Sequence, residues 1–281
     1  MASGRVPRHV DAAEIPHLEV AVVECNASGM TSLIVRDGVG TITIDNPAAR
    51  NALDDVTRKA LLHSLQEAME DPACAAVVLV GAGGTFCAGG DLASMPTEEE
   101  PIRRRLGEMH DIVRLLHAGP KPTVSAVDGA AFGSGFSLAV ACDRVIATEG
   151  ARFGCSFGKV GLIADTGLIW TLPHRVGDRT ARRILLEGQT IGAVEAHRIG
   201  VVDELTDNNV ARAEEWASAF AGAATLALAA TKRLLASSGT SLDELLAAEV
   251  DAQVGLLASA DFAEGRRAFF GRRPPVFGAG A

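Results

Sequence analysis

The sequence lacks the features that mark membrane-spanning, exported and nucleic-acid-binding proteins. No window reaches the roughly 18 uninterrupted apolar residues of a membrane span, and acidic residues stand where a signal peptide would have its apolar segment. The formal net charge of -9 comes without a long basic face, which argues against nucleic acid as the main partner. We therefore expect a cytoplasmic protein with neither a membrane nor a nucleic-acid partner.

The cysteines also lack any metal-binding or disulfide pattern. Five of them are scattered along the chain without CxxC spacing, at Cys25, Cys74, Cys87, Cys142 and Cys155. An odd, scattered set predicts neither a disulfide framework nor a zinc site, and it fits a reducing compartment. We expect no metal, and we expect Cys87 and Cys155 to pack as small apolar residues.

What is present is an ordinary globular composition on a chain long enough for a substantial core. The 281 residues are 48% hydrophobic and 22% charged. Apolar runs typical of strands alternate with helical patterns and then give way to helices alone, which predicts an α/β layer fold followed by a helical part. We divide the chain into an N-terminal extension (1–30), an α/β core (31–210) and a helical C-terminal region (211–281).

The individual elements follow from apolar periodicity and from turn and cap residues. Strands are predicted at 75–80, 123–127 and 144–147, a hairpin at 32–44 around Asp37-Gly38, and a candidate edge strand at 18–23. Helices are predicted to start at Asp54 or Asp55, near Arg103, at Phe136 and near Thr166, and to cover 180–186, 193–200, 211–237 and 242–257. Basic runs at 103–105 and near the C-terminus are either solvated or placed to meet phosphates.

Two turns rich in small residues are the first candidate for chemistry. Residues 121–143 form a predicted strand, a turn at 133–135 (Gly-Ser-Gly) and the start of a helix. Residues 88–91 (Ala-Gly-Gly-Asp) form a second turn of the same kind. Free backbone N–H groups at a helix start can bind an oxyanion, and two such turns could converge on one oxygen. A tight corner is the simpler interpretation of either turn alone.

Together with three further segments, these turns resemble the crotonase (enoyl-CoA hydratase/isomerase) superfamily. The similar segments are DNPAARNAL at 45–53, GTFCAGGDLASM at 84–95, KPTVSAVDGAAFGSGFSLAVACD at 121–143, FGKVGLIADTGLIWTLPHRVG at 157–177 and EGRRAFFGRRPP at 264–275. The resemblance implies a spiral of ββα units, C-terminal helices that form a homotrimer or a dimer of trimers, and an acyl-CoA thioester substrate. Coenzyme A then enters as part of the substrate, and no separate cofactor is expected.

The resemblance also assigns residues. The N–H groups of Gly90 and Ser134 would hold the thioester oxygen as it becomes an enolate. Substrate and coenzyme A would be lined by Ala48, Arg50, Ala88, Asp91, Leu92 and Phe157. A C-terminal arginine would reach the phosphates of coenzyme A.

The chain departs from the family where hydratases keep two glutamates, because Ser137 and Phe157 stand at those positions. Neither side chain can hold water as a carboxylate does or exchange its proton at neutral pH. The nearby carboxylate is Asp165, at a position similar to that of a functional aspartate in Asp-dependent isomerases and dehalogenases of the family. We expect it in an apolar pocket of Phe157, Leu162, Ile163 and Trp170. The alternative is that Asp165 caps a helix.

His110 and Glu108, on the helix predicted at 103–117, are secondary candidates. The spacing of His110 and Asp165 resembles the His and Asp pair of the dehalogenases, although surface exposure is the simpler interpretation of His110. Asp165, in a chain without the two glutamates, favours isomerisation by a single base. The alternatives are a hydratase, hydrolase or dehalogenase acting on an unusual acyl-CoA, and a non-catalytic acyl-CoA-binding protein.

Overall fold

The computed structural model describes residues 29–237, 239 and 241–277. Most of the predicted extension at 1–30, including the candidate strand at 18–23 and Cys25, lies outside these residues. The boundaries placed at residues 30 and 210 therefore stay predictions.

The strands of the described chain form two sheets. They are β1 (Thr31–Arg36), β2 (Val39–Ile44), β3 (Ala76–Gly81), β4 (Thr123–Val127), β5 (Ala130–Phe132), β6 (Arg144–Ala147), β7 (Arg152–Gly154), β8 (Thr190–Gly192) and β9 (Glu204–Leu205). The larger sheet has the order β1-β2-β3-β4-β6-β9, in which only the β1–β2 hairpin pair is antiparallel. The smaller sheet has the order β5-β7-β8. The carboxyl ends of β2, β3, β4 and β6 therefore lie along one edge, where the loops that carry the candidate site begin.

The helices cover both faces of the larger sheet and then form the C-terminal region. They are α1 (Asp55–Glu70), α2 (Glu99–Ala118), α3 (Ser134–Ala141), α4 (Leu168–Val176), α5 (Asp178–Glu187), α6 (Ala193–Arg198), α7 (Asn209–Ser218), α8 (Thr225–Ala236), α9 (Leu242–Leu257) and α10 (Ala260–Gly271). Alternate residues of β3 pack into different cores: Val77 and Leu79 join the main core, while Ala76 and Val78 pack with Ala213 of α7. Covering on both faces explains why β3 and β4 are continuously apolar.

The connection of these elements repeats a ββα unit. β4, β5 and α3 form one unit, and β6, β7 and α4 form the next. A third begins with β3 and continues through Cys87, which pairs with Ala131 of β5, to α2. Each unit thus adds one strand to the large sheet and one to a second layer before its helix. The crotonase-type α/β spiral that the sequence suggests is confirmed.

Three helix predictions need correction. The helix predicted at 211–237 is two helices, α7 and α8, separated by a turn in which Gly222 has a φ of 75°. The many alanines favour helix throughout, but Phe220 packs on Trp216 beside the core of α7 and the chain turns there. α2 begins at Glu99 rather than near Arg103, and the arginine-rich tail contains the additional helix α10.

Candidate active site

The Gly90 turn is held by backbone hydrogen bonds to residues 50–53. The Leu53 N–H donates to the Gly89 carbonyl at 2.8 Å, and the Ala88 N–H donates to the Arg50 carbonyl at 3.0 Å. Gly89 has a φ of 103°, and a Cβ there would lie 2.7 Å from the carbonyl oxygen of Phe132. Within the described residues, the Gly90 N–H donates to no backbone carbonyl. This donor is therefore available to a ligand.

The second turn places Ser134 at the first position of α3, where the N–H has no intrahelical acceptor. Gly133 precedes it with a φ of 52°, and its own N–H donates to the Gly154 carbonyl at 2.9 Å. A Cβ on Gly135 would come within 2.2 Å of the Cys87 carbonyl oxygen, so the start of α3 packs directly on the segment that leads into the Gly90 turn. The two predicted donors consequently border one cavity.

That cavity has a volume of about 140 Å³. Of the residues predicted from the sequence, its lining includes Ala88, Gly90, Leu92, Ser134, Phe157 and Asp165. Leu162, predicted to lie beside Asp165, also lines it, but sequence reasoning missed several other lining residues, namely Met95, Ser156, Lys159 and Val160. Most of these lie within the segments that carried the resemblance, but nothing in their residue type pointed to a ligand. Asp165 is the one carboxylate among the lining residues that the structure describes.

Asp165 does not cap a helix. α4 begins at Leu168, and its N-cap is Gly167 without a side-chain cap bond. The Asp165 carboxylate instead accepts a hydrogen bond from Thr166 Oγ1 at 2.8 Å and lies 3.5 Å from Ser134 Oγ, a long contact. Its position comes from a turn in which Thr166, a buried β-branched residue, has a φ of 54°. Such a conformation is strained for threonine and is typical of functional sites.

Ser137 stabilises this turn through hydrogen bonds of its side chain. Its side chain is fully buried in α3, and its hydroxyl reaches the Asp165 carbonyl at 3.0 Å and the Gly133 carbonyl at 3.3 Å. One serine thus contacts the backbone of both the turn before α3 and the turn before α4. Ser137 therefore helps to hold the position of Asp165.

The remaining residues predicted to contact coenzyme A lie beside the cavity. Ala48 is on an exposed 3-10 turn, and Arg50 follows it with a φ of 53°. The Asp91 side chain accepts from the Ala93 N–H and so begins a short 3-10 turn that carries Leu92. Ala48, Arg50 and Asp91 are thus near the cavity through the backbone pairing of their segments and do not line it.

The structure does not bring His110 and Glu108 to the cavity. His110 is exposed on α2 and does not line it in the described chain. Glu108 accepts from Arg58 Nε at 2.7 Å in a largely buried ion pair. The expectation that Glu108 could supply an acid to the site is therefore wrong, because its carboxylate already neutralises a buried guanidinium.

The expected apolar pocket around Asp165 is only partly formed. Phe157 and Leu162 line the cavity, but Ile163 is 76% exposed. Trp170 stacks between His117 and His174 on another face of α4, with ring centroids 4.8 Å and 4.2 Å away. The helix pattern alone did not reveal which face of α4 turns toward Asp165.

The cysteines near the site are buried. Burial raises the pKa of the Cys87 thiol to about 12 and also raises the pKa of Cys155. In the part of the chain that the structure describes, no group of three or more His, Cys, Asp or Glu side chains could hold a metal ion. None of the described helices is both long enough and apolar enough to cross a membrane.

The fold and the paired glycine turns define a crotonase-type enzyme. Residues 35–280 match the model of the enoyl-CoA hydratase/isomerase family. The chain belongs to this family, within the crotonase superfamily, and is an enzyme that acts on acyl-CoA.

Both an isomerase and a hydratase are among the proteins to which the chain is similar. A 1,2-epoxyphenylacetyl-CoA isomerase of Escherichia coli is 35% identical over 251 residues, which cover 86% of this chain and 96% of the relative. A 2,3-dehydroadipyl-CoA hydratase of Escherichia coli is 34% identical over 254 residues, covering 88% and 99%. The crystal structure of an enoyl-CoA hydratase from a Polaromonas species matches with a TM-score of 0.80 at 33% identity, covering 87% of this chain and 98% of that one.

Proposed function

We propose that the protein isomerises an acyl-CoA thioester, by a double-bond shift or a ring rearrangement, with Asp165 as the acid and base. The observation that carries this proposal is the cavity in which Asp165 is the one carboxylate among the described lining residues, beside the free N–H groups of Gly90 and Ser134. A single carboxylate beside an oxyanion site suits a reaction in which one proton leaves and returns.

The proposed reaction needs no group beyond these three. The thioester oxygen accepts hydrogen bonds from the Gly90 and Ser134 N–H groups. The Asp165 carboxylate takes a proton from a carbon of the acyl group, and the electrons of that C–H bond move toward the thioester oxygen to form an enolate. The resulting carboxylic acid then returns the proton to a different carbon. The two N–H groups bind the enolate more tightly than the ground-state carbonyl, which lowers the barrier.

Hydration by two glutamates fits the site poorly. Ser137 is buried beneath the Asp165 turn and does not line the cavity, and Phe157 presents a ring to it. The second candidate reaction is hydration, hydrolysis or dehalogenation of an unusual acyl-CoA. It is favoured by the similarity to a named hydratase and by the position of Asp165, which could orient water or attack covalently. An aspartyl adduct in the mass spectrum during a single turnover would support covalent attack.

Coenzyme A is proposed to run along the segments of Ala48, Arg50, Asp91 and Leu92, and a C-terminal arginine is proposed to meet its phosphates. The homotrimer, or dimer of trimers, is also a proposal. It is supported by a stripe of exposed apolar residues on α9 at Leu242, Leu246, Val250 and Val254, because such stripes mark interfaces. Light scattering of the purified protein measures the oligomeric state directly.

The test of the reaction is turnover by Asp165→Asn. The enzyme is assayed with 3-enoyl-CoA, with ring-epoxide and oxepin CoA thioesters, and with 2-enoyl-CoA for hydration. The variant should lose about 10²–10⁴-fold in kcat on the isomerised substrate, which is the usual contribution of a general base. Asp111→Asn, the same change on the outer surface of α2, should leave turnover as it is. Unchanged turnover in Asp165→Asn would remove this residue from the mechanism.

A further inference from the structure

Two buried arginines lie beneath the Gly90 turn, and they differ in how they are neutralised. Arg58 of α1 is 2% exposed and forms ion pairs with Asp55 and Glu108. Its remaining guanidinium nitrogen also reaches the Asp54 carbonyl at 3.4 Å. Acceptors therefore surround this cation, as is normal for a buried charge.

Arg105 of α2 is 9% exposed but has no such partners. Its one hydrogen bond in the described structure runs from Nη1 to the Leu53 carbonyl at 3.3 Å, and no carboxylate of the described residues forms an ion pair with it. A guanidinium has five N–H donors, so protein acceptors use only a small part of its hydrogen-bonding capacity. Arg105 also lines a cavity of about 150 Å³ beside Asp55 and Arg58, and none of its nitrogens is among the described buried atoms that have no partner, so water can reach the guanidinium.

The unneutralised end of Arg105 points at the oxyanion turn. A Cβ added to Gly90 would lie 2.7 Å from Arg105 Nη2, so the guanidinium is in contact with the Gly90 backbone. The Leu53 carbonyl that binds Nη1 also accepts from the Asp91 N–H at 3.4 Å, and the Leu53 N–H donates to the Gly89 carbonyl. Arg105 thus binds the segment that holds the turn, and its guanidinium lies on the side of Gly90 from which a side chain would project.

The electrostatic surroundings of Arg105 agree with this placement. Burial lowers the pKa of the Arg105 guanidinium, and the nearby charge of Arg58 lowers it further. The carboxylates of Asp165, Asp91 and Asp55 oppose that shift. Asp165 is therefore within electrostatic range of Arg105, although the two side chains do not pair. A negative charge that forms beside Gly90 would lie within the same field.

We propose that Arg105 is a positioning residue that places a positive charge without a carboxylate partner beside Gly90 and so stabilises the enolate. This inference rests on the proposed function of the site. Arg105 touches the Gly90 backbone rather than substrate, so its effect is electrostatic and passes through the turn. The absence of a carboxylate partner keeps the charge available for the anion that forms during the reaction.

The first test measures activity and stability together. Arg105→Met removes the charge and keeps an unbranched apolar side chain, Arg105→Lys keeps the charge without the planar fork, and Arg104→Met removes the same charge from the exposed neighbour. Arg105→Met should lower kcat about 10- to 100-fold, less than the about 10²–10³-fold loss of a direct donor. KM and the melting temperature should both change little, because Arg105 forms no ion pair with the described residues and only one hydrogen bond, of 3.3 Å, is lost.

The same three variants include the control and the outcomes that would contradict the proposal. Arg104→Met should keep kcat, and Arg105→Lys should recover most of the kcat that Arg105→Met loses. A purely structural Arg105 would instead give a lower melting temperature in Arg105→Met with kcat per folded molecule retained. An Arg105→Lys variant that is folded and as inactive as Arg105→Met would also overturn the proposal, because charge would then not be the property that matters.

The second test separates this inference from the proposed reaction. Acetoacetyl-CoA is a 3-ketoacyl thioester that is acidic enough to form an enolate, whose ultraviolet absorbance reports the anion without any turnover. Wild type and Arg104→Met should bind it with a larger enolate fraction than Arg105→Met. An equal enolate fraction in Arg105→Met refutes the role of Arg105. A larger enolate fraction in wild type than in Arg105→Met, without turnover of any tested thioester, would instead refute the proposed isomerisation and support the role of Arg105.

Discussion

Arg105 beneath the Gly90 turn and Lys232 of α8 are both buried cations, but their surroundings are opposite. Lys232 Nζ donates to the carbonyls of Leu116 and Lys121 at 2.7 and 2.8 Å and to Asp143 Oδ2 at 2.6 Å. All three of its N–H donors are thus used. Arg105 has one hydrogen bond, to the carbonyl of Leu53. Complete pairing of Lys232 indicates a structural role, whereas the incomplete pairing of Arg105 is the observation on which its proposed role toward the enolate rests.

The position of Lys232 agrees with a structural role. Its acceptors lie at the end of α2, just before β4 and just after α3, so one side chain joins α8 to three parts of the core. Burial lowers the pKa of Lys232, and the charge of Asp143 opposes that shift. The fully satisfied network rigidifies the contact between α8 and the core.

The larger of the two cavities beside these regions is not the candidate active site. The cavity lined by Lys232, Asp143, His117 and Trp216 has a volume of about 470 Å³, whereas the cavity beside Asp165 has about 140 Å³. Lys232 and Asp143 of the larger cavity already neutralise each other, while the smaller one has two free N–H donors and a carboxylate. The chemistry of the lining groups therefore identifies the candidate site better than its volume.

The largest effect is expected at the Gly90 and Ser134 turns themselves. Ser134→Pro removes one N–H donor at the first position of α3, where proline is tolerated. It should lower kcat about 10²–10³-fold, the usual loss for one oxyanion donor. Ser134→Ala keeps the N–H and should lose much less. Steady-state kinetics of both variants measure these losses. Equal losses in kcat would mean that the Ser134 hydroxyl, rather than its N–H, contributes to the reaction.

Next in size is the loss of stability when Lys232 is neutralised. Lys232→Met leaves the Asp143 carboxylate without its cation and should lower the free energy of unfolding by about 3 kcal/mol. This value is at the low end for a buried pair because the Asp143 side chain is 32% exposed. Urea unfolding measures the change, with Lys59→Met as an exposed control. If Lys232→Met were as stable as Arg105→Met, the two cations would not differ in their contribution to the free energy of unfolding.

The smallest effect concerns an exposed cation, Arg273, in the C-terminal tail. Arg273 pairs with Glu264 at 2.6 Å, and the Val276 N–H donates to the same carboxylate at 3.1 Å. These contacts lower the pKa of Glu264 to about 2, with Arg273 the larger cause. A lowered carboxylate pKa stabilises the folded tail above the ordinary glutamate pKa of 4.5, and this stabilisation is lost as the pH falls through the lowered pKa of about 2.

The amide resonance of Val276 in an NMR titration reports this exposed pair. Its shift should titrate near pH 2 in wild type, and Glu264→Gln should abolish that step without a measurable change in global stability, because exposed ion pairs contribute little. A midpoint near the ordinary glutamate value would show that the tail does not dock on α10 in solution.

Local patterns predicted much of the fold. The hairpin around Asp37-Gly38, the Asp54 cap of α1 and the whole of α9 were visible because each depends on residues close in sequence. The break between α7 and α8 was missed because it depends on packing of Phe220 against the sheet. The three arginines at 103–105 were treated as one run, although α2 exposes Arg103 and Arg104 and buries Arg105.

The sequence by itself determined the family, the spiral fold and the identity of the residues that the two glycine turns present. Short segments suffice for these conclusions because small residues at fixed positions are required wherever backbones approach closely. Only the tertiary structure decided that Asp165 lies on a strained turn instead of a helix cap, that Ser137 supports it, and that Arg105 lies beside Gly90 without an ion pair to the described residues. Each of these depends on contacts between segments far apart in the chain, which no local pattern of residues specifies.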